Sequence, residues 1–271
     1  QVIATMVGRS PTQTQAMAQA DRTPRLAGDK VLSVQNLSMG NMVKNASFSV
    51  FSGQVTGMFG LIGSGRSEMA KLISGIYKRN TFHGGEVRLN GKSVRYRTPL
   101  PAVRDGIAYV TEDRKVDGFF ENMSIGENIH IGALATKGGP LSVVSMTEMR
   151  SLAAKWIDAL GVKAINSDAK VIELSGGNQQ KVVISKSLAQ SPRVIIFDEP
   201  TKGVDVGAIQ EIHRLINELA DQGFCVAVIS SYLPEVMQVS DRILVTRGGR
   251  VVEEFTANEA TEEKIMYAAV H

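Results

Sequence analysis

Cysteine is nearly absent from this chain. The one residue, Cys225, cannot form an internal disulfide. It sits in the apolar run Cys225-Val226-Ala227-Val228-Ile229, so it reads as a small buried hydrophobe rather than a reactive thiol. Long apolar runs are missing too, and none approaches the ~18–20 residues that a membrane span needs. There is no block of one charge: 30 Lys and Arg stand against 27 Asp and Glu, a net +3, and they are dispersed. That balance gives no ground for nucleic-acid binding. The 4 histidines, His83, His130, His213 and His271, form no ligand-like group, so no metal is assigned to them. Gln1 to Ala20 lacks the basic head and apolar centre of a secretory signal. These absences point to a globular protein in a reducing, cytoplasmic setting. Its 271 residues suffice for one large α/β domain or two small ones.

What is present is organised around Gly60-Leu61-Ile62-Gly63-Ser64-Gly65-Arg66-Ser67. This stretch follows a strand-like run, Val55 to Phe59, and opens a helix-like run from Glu68. Gly60, Gly63 and Gly65 let the backbone turn tightly and aim its N–H groups inward, towards an anion such as a phosphate. The pattern G-x-x-x-x-G-K-[ST] is met except that Arg66 replaces Lys. Ser67 keeps the hydroxyl that would face a magnesium ion. Alone, the stretch fits a plain strand-to-helix turn equally well.

Residues 1 to about 30 read as a linker or tail, rich in Gln, Thr, Ala and Pro. The chain starts at Gln1 rather than Met, which fits a piece of a longer protein. Val31 to Leu37, Ala46 to Val50 and Val55 to Phe59 read as three short strands, and Gly75 as a helix stop. Glu86 to Asn90 reads as a strand with Asn90-Gly91 as its hairpin turn. Ile107 to Val110 reads as a strand that ends at Thr111-Glu112-Asp113-Arg114. From about 113 to 188 the reading is mainly helical, with a capping box at Ser145 and Glu148 and with Trp156 as core. Val194 to Phe197 and Cys225 to Ile229 are fully apolar strands. The helix between them is marked by Ile209, Ile212, Ile216 and Leu219, and the trio implies a parallel sheet covered on both faces. Arg242 to Thr246 and Arg250 to Phe255 form a closing pair about Gly248-Gly249.

Two further stretches carry chemistry. Val194 to Phe197 runs into Asp198-Glu199-Pro200. In a phosphate-loop enzyme, Asp198 would hold magnesium through water and Glu199 would orient an attacking water. Upstream, Leu174-Ser175-Gly176-Gly177-Asn178-Gln179-Gln180-Lys181 opens a helix with Ser and Gly, again presenting free N–H groups. Either could be bland by itself, a solvated turn or a Gly-rich cap. Their order decides: phosphate loop, then this stretch, then the apolar strand with Asp-Glu.

In that order the sequence resembles the ATP-binding-cassette family from about Val31 to Phe255. Leu174 to Gln179 resembles the family's signature segment and Asp198-Glu199 its Walker B end. The wording EDRKVDG, LSGGNQQK, DEPTKGVDVGA and SDRI is similar to the C-terminal cassette of ribose-, galactose- and xylose-type importer ATPases. Met6-Val7-Gly8-Arg9 resembles the end of a preceding cassette. The resemblance implies an α/β P-loop NTPase with a RecA-like core, an antiparallel β subdomain and an α-helical signature subdomain. The cassette would span 31–271 and the helical subdomain about 113–188. It implies ATP and Mg²⁺ as cofactors. Gly60, Gly63, Ser64, Gly65, Arg66, Ser67 and Glu68 would line the phosphates, and Ser67 and Asp198 the metal. Glu112 would stand in place of a sensing Gln, and Ser231 in place of a catalytic His beside Glu199. Ser175, Gly176, Gly177 and Asn178 would close on ATP held by the opposite cassette, with Asp205 in the crossing loop. The implied partners are the N-terminal cassette of the same chain, a membrane permease contacted through Asp113 to Ile129 with Phe119 and Phe120, and indirectly a sugar-binding protein. The implied place is the cytoplasmic face of the inner membrane.

The departures shape the expected activity. Arg66 is bulkier and planar and cannot copy a lysine's compact ammonium. Glu112 adds a like charge near phosphate, worth roughly 4 kcal/mol at ~4 Å and an effective dielectric of about 20. Ser231 is too short to replace an imidazole, and losing one transition-state donor costs about 10²–10³ in rate. No aromatic stands between Leu32 and Val43 to stack adenine. The expectation is a slow or idle site in an ATP hydrolase that serves mainly its partner. Other readings are a phosphate-loop kinase, which leaves 174–181 unexplained, and a non-transport cassette, which would need insertions or basic arms. A regulatory cassette that binds nucleotide without hydrolysis is the remaining alternative.

Overall fold

The computed structural model describes residues 23–137 and 145–271. Met6 to Arg9 and most of the expected tail lie outside them. Strands β1 (Lys30–Met39), β2 (Val43–Phe51), β4 (Glu86–Leu89) and β5 (Lys92–Val94) form an antiparallel sheet in the order β2-β1-β4-β5. Strands β3 (Gln54–Gly60), β6 (Ile107–Val110), β7 (Val194–Asp198), β8 (Cys225–Ser230), β9 (Arg242–Arg247) and β10 (Arg250–Thr256) form the second sheet. Its order is β10-β9-β3-β8-β7-β6, parallel throughout except β9 with β10. The first two strands run longer than their apolar residues indicate, because backbone pairing of β1 with β2 continues through exposed polar positions.

The apolar runs of β3 and β7 are buried at every position, as a strand covered on both faces requires. One face packs with the antiparallel sheet around Leu32, Phe48, Met58, Met69, Ile196 and Leu244. The other packs helices around Val55, Phe197, Val226, Ile212 and Ile216. Each such side chain contributes roughly 1.5–3 kcal/mol by leaving water. Cys225 lies in the first of these layers, and burial pushes its thiol up to about 12, so it stays protonated.

Helices α1 (Arg66–Ile73) and α2 (Pro99–Arg104) precede β6. Between β6 and β7 come a π turn at Arg114–Gly118, α3 (Ile125–Lys137), α4 (Met146–Ala159), a 3₁₀ turn at Val171–Glu173 and α5 (Gly176–Leu188). Then follow α6 (Val206–Asp221), α7 (Leu233–Val239) and α8 (Glu262–Val270). Ser145 caps α4, accepting from the Glu148 amide at 3.3 Å. Trp156 is half-buried at the margin of the second core layer rather than inside it. Phe119 and Phe120 part company: Phe119 is in the core, while Phe120 and the neighbouring Val116 are exposed.

The described end of the expected tail is not loose. Gly28 donates to Ser52 O at 3.0 Å and Ser52 returns a bond to Asp29 O at 2.9 Å, laying the segment along the edge of β2. Arg25 reaches further, to Asn217, Asp221 and Asp241.

Candidate functional site

Strands β3, β6, β7 and β8 point the same way, so their carboxyl ends open on one edge of the sheet. Ligands in open α/β sheets bind at such edges. Gly60, Glu112, Asp198, Glu199 and Ser231 lie at or just beyond those four ends. A cleft of ≈ 600 Å³ opens there, lined by Gly63, Ser67, Glu68, Glu112, Glu199 and Ser231 among others.

The loop from β3 into α1 keeps its shape for steric reasons. Gly63 and Gly65 have φ of +82° and +91°, a region that costs any residue with a Cβ. A Cβ on Gly65 would also stand 2.6 Å from Met42 O. Ser64 is turned away from the cleft: its hydroxyl accepts from Thr246 Oγ1 at 2.9 Å and its amide donates to Leu61 O at 2.9 Å. Glu68 sits in the first turn of α1, and Ser67 next to it donates to Asp198 Oδ1 at 2.9 Å.

Arg66 does not reach into the open cleft. It folds back and donates from Nη1 to Gly60 O at 2.6 Å and Leu61 O at 2.8 Å. Nη2 donates to Glu199 Oε1 at 2.9 Å, and both side chains of this ion pair are one-tenth exposed. The same Oε1 accepts the Ser231 amide at 2.8 Å, while Ser230 Oγ donates to Oε2 at 3.4 Å. Ser231 therefore meets Glu199 through its backbone. Glu199 has φ +49°, unusual for a residue with a side chain, and its amide is tied to Ile229 O at 2.8 Å. The carboxylate that would orient water is thus held on three sides.

Asp198 is fully buried, and Tyr109 donates to its second oxygen at 2.6 Å. Ser67 and Tyr109 cap its two oxygens with hydroxyls. Two hard oxygens, Ser67 Oγ and Asp198 Oδ1, converge at the mouth of the phosphate loop, and this donor set fits a magnesium ion. Burial raises the Asp198 carboxyl above its ordinary range, partly offset by the Tyr109 and Ser67 bonds. A raised carboxyl costs stability when charged, and the cost disappears as pH falls through its folded value. Asp198→Asn is therefore expected to raise Tm at neutral pH, because it lifts the cost of a buried charge. The gain should shrink on acidification, as thermal melts across pH 4–7 will show; a lower Tm for the variant at neutral pH refutes it.

Glu112 does not stand alone in the cleft. Lys202 Nζ lies 2.6 Å from Glu112 Oε1, and this pairing raises the lysine's pKa. The like-charge conflict expected from sequence is offset by a cation 90 positions away. Thr201 and His213 both bond Glu235 Oε1, at 2.7 and 3.0 Å, fixing the loop after β7 to α6 and α7.

Ser175, Gly176, Gly177, Asn178 and Asp205 form a separate group. Ser175 is exposed and caps α5, accepting from Asn178 Nδ2 at 3.0 Å. Asn178 Oδ1 accepts the Lys163 amide at 2.8 Å, so its side chain faces its own helical layer. Asp205 caps α6, accepting from Ala208 N at 3.1 Å. Sequence reading missed Tyr109, Lys202, Thr201, His213 and Glu235. A polar tyrosine in an otherwise apolar strand was the one local signal available.

Known proteins bear the same pattern. The family described as ABC transporter matches residues 43–202. The chain is 42% identical over 243 residues to a ribose import ATP-binding protein of Caldanaerobacter subterraneus subsp. tengcongensis, covering 90% of this chain and 48% of that protein. It is 42% identical over 275 residues to a xylose import ATP-binding protein of Thermoanaerobacter pseudethanolicus, covering 99% and 53%. A D-allose import ATP-binding protein of Escherichia coli K12 is 41% identical over 98% of this chain and 52% of its own length. The chain thus spans about half the length of these relatives. A crystal structure of an ATP-binding cassette of an ABC transporter, in its ADP conformation, superposes with a TM-score of 0.76 at 25% identity. That match covers 89% of this chain and 99% of the other. The phosphate-loop fold, the order of its motifs and these matches lead to one conclusion: the chain belongs to the ABC transporter family.

Proposed function

We propose that this chain is the second, partly degenerate cassette of a longer ATPase that drives import of a monosaccharide. The observation that carries the reading is the contrast between its two surfaces. In its own cleft, Arg66 is turned onto Glu199 and the loop carbonyls. The signature turn, by contrast, leaves Ser175 exposed at the start of α5. A cassette built this way serves a partner's site better than its own.

Amides of the loop at 63–67 would seat the phosphates, and Ser67 with Asp198 would hold magnesium. Mg²⁺-ATP, when bound, supplies the transferable phosphoryl group and a cation that neutralises its charge. Glu199 would have to leave Arg66 to act on a water. Ser175, Gly176 and Asp205 would face the triphosphate of an N-terminal cassette packed head to tail. A groove of ≈ 430 Å³ between the end of α1, α2 and the π turn is lined by Tyr77, Val103, Tyr109 and Asp117. With exposed Val116 and Phe120 nearby in sequence, it supports docking of a membrane permease at the cytoplasmic face. Among the described residues no helix is long and apolar enough to cross a membrane.

ATP hydrolysis by this chain alone, and mixed with the preceding cassette, tests the reading. The chain alone should run at least about 10²-fold below the mixture. Equal rates would remove the paired scheme. No hydrolysis in either, with binding retained, would favour a non-hydrolysing regulatory cassette, a reading that also draws on the Arg66–Glu199 pair.

A further inference from the structure

Arg114 stands two residues after Glu112 and opens the π turn. It is buried, and its guanidinium is directed to three acceptors. Nη1 donates to Lys202 O at 2.7 Å, Nη2 to Gly203 O at 2.8 Å and Nε to Gln179 Oε1 at 3.4 Å. Gln179 passes the connection on, donating from Nε2 to Leu174 O at 3.0 Å and Ile172 O at 3.4 Å. One planar cation therefore bridges the loop after β7 and the turn that enters α5. A lysine could satisfy at most part of that fork.

The seam it fills has no spare room. A Cβ on Gly176 would lie 2.9 Å from Arg114 Nη2 and 2.9 Å from Gly203 O. A Cβ on Gly177 would lie 2.4 Å from Ala208 Cβ and 3.3 Å from Asp205 Oδ2. Gly203 itself has φ +66°. The two glycines of the signature turn thus serve close packing against 203–208 as well as access to their amides. A second tie crosses the same gap, since Lys202 Nζ also holds Glu112.

We infer that Arg114 is a positioning residue that joins the Glu112 loop, the 202–205 loop and the 174–178 turn into one body. A displacement of Glu112 is thereby carried to Ser175 and Asp205, linking this cassette's cleft to the face it offers a partner. The use of the link rests on the paired-cassette reading; the existence of the link does not.

Amide hydrogen exchange decides the matter, on this chain as wild type, Arg114→Ala and Arg114→Lys, free and with Mg²⁺-ATP. Binding of the fluorescent analogue TNP-ATP is followed in parallel. In free protein, Arg114→Ala should speed exchange at 172–180 and 202–205 by about tenfold or more while leaving 30–51 unchanged, a local loosening rather than unfolding. TNP-ATP affinity should stay within about threefold, because Arg114 reaches no group of the phosphate loop. Nucleotide should slow exchange at both 60–68 and 172–180 in wild type, but only at 60–68 in Arg114→Ala. Arg114→Lys should restore part of the response at 172–180. Exchange at 172–180 within about twofold of wild type in Arg114→Ala overturns the inference, as does a full nucleotide response there. Failure of wild type to bind TNP-ATP would instead count against the nucleotide-site reading, and the free-protein comparison would still judge the tie. Should Arg114→Ala not fold, Arg114→Lys and Gln179→Leu each remove part of the set and are judged by the same criterion.

Discussion

On the proposed paired-cassette reading, Ser175→Asp should cut transport by the complete protein at least about 10²-fold while leaving this chain's fold intact. The two halves of that expectation come from opposite effects at one position. Ser175 caps α5 with its side chain. Aspartate caps a helix as well as serine does, and a negative charge there is favourable to the helix dipole. The Tm should therefore move by less than ~2 °C, well inside 1 kcal/mol for a chain this size. For a triphosphate facing the same turn the charge is adverse. At ~4 Å and an effective dielectric of about 20 the repulsion is roughly 4 kcal/mol, far more than the cap contributes. Ser175→Trp should stop transport as well, by bulk instead of charge, because the exposed turn could no longer close on a second lobe. Ser175→Ala is the milder control, losing a cap worth about 1 kcal/mol and one hydroxyl. Sugar uptake and ATPase rate of the proposed two-cassette protein, beside thermal melts of this chain, give the readout. Uptake at wild-type level with Ser175→Asp would end the claim that this turn serves a partner's phosphate.

How much of this was legible in the sequence depends on the range of the interaction. Features set by neighbouring residues could be read directly. The apolar strand before Asp198, the Asn90-Gly91 hairpin, the Ser145 cap and the Ile212-Ile216 face of α6 all follow from local periodicity or turn chemistry. The four strand ends that gather the cleft could be placed once a parallel sheet was inferred. Side-chain pairings across the fold were not legible. Lys202 offsets Glu112, and Tyr109 caps Asp198 from 89 positions away. The hydroxyl of Tyr109 in an apolar strand hints that a partner exists, but no local pattern names that partner, because the pair is made only when two strand ends come together. Arg66 shows a mixed case. Its departure from lysine was visible. Its turn onto Gly60 O and Glu199 depends on a carboxylate 133 residues later. The split between Phe119 and Phe120 was hidden for a related reason. The π turn just before them sets which ring faces the core, and five residues of irregular helix leave no period to read.

Arg25 is the sharpest instance of long-range pairing, and Arg25→Ala should destabilise the protein by about 2–3 kcal/mol. The residue falls in a stretch whose composition reads as linker, yet it is anchored at several points. Its amide donates to Asp241 Oδ1 at 3.0 Å, and Nη1 lies 3.2 Å from Asp241 Oδ2. Nε lies 2.6 Å from Asp221 Oδ1, Nη1 donates to Asn217 Oδ1 at 3.1 Å and Nη2 to Asn217 O at 3.2 Å. The Asp241 side chain is fully buried and also accepts the amide of Val55, the strand that leads to the phosphate loop. Removing a cation from a buried carboxylate is costly because the charge keeps its desolvation penalty and loses the opposing field. Asp241 keeps the bonds from the amides of Val55 and of position 25 in the variant, which is why the lower part of the usual 3–5 kcal/mol range, or a little under it, is expected. For a chain of this size 2–3 kcal/mol corresponds to roughly 5–10 °C in Tm. The pair Arg88–Glu86 supplies the comparison. Both of its side chains are a third or more exposed, so Arg88→Ala should leave the unfolding midpoint close to wild type. Arg25→Lys should fall between, since one ammonium cannot reach Asp221, Asp241 and Asn217 together. Urea unfolding of the three variants separates these values. Equal midpoints for Arg25→Ala and wild type would mean that residues 24–29 lie against the core without holding it. A clear loss would make them part of the folded cassette, and any domain joined upstream would then be tethered at Arg25 rather than at the first strand.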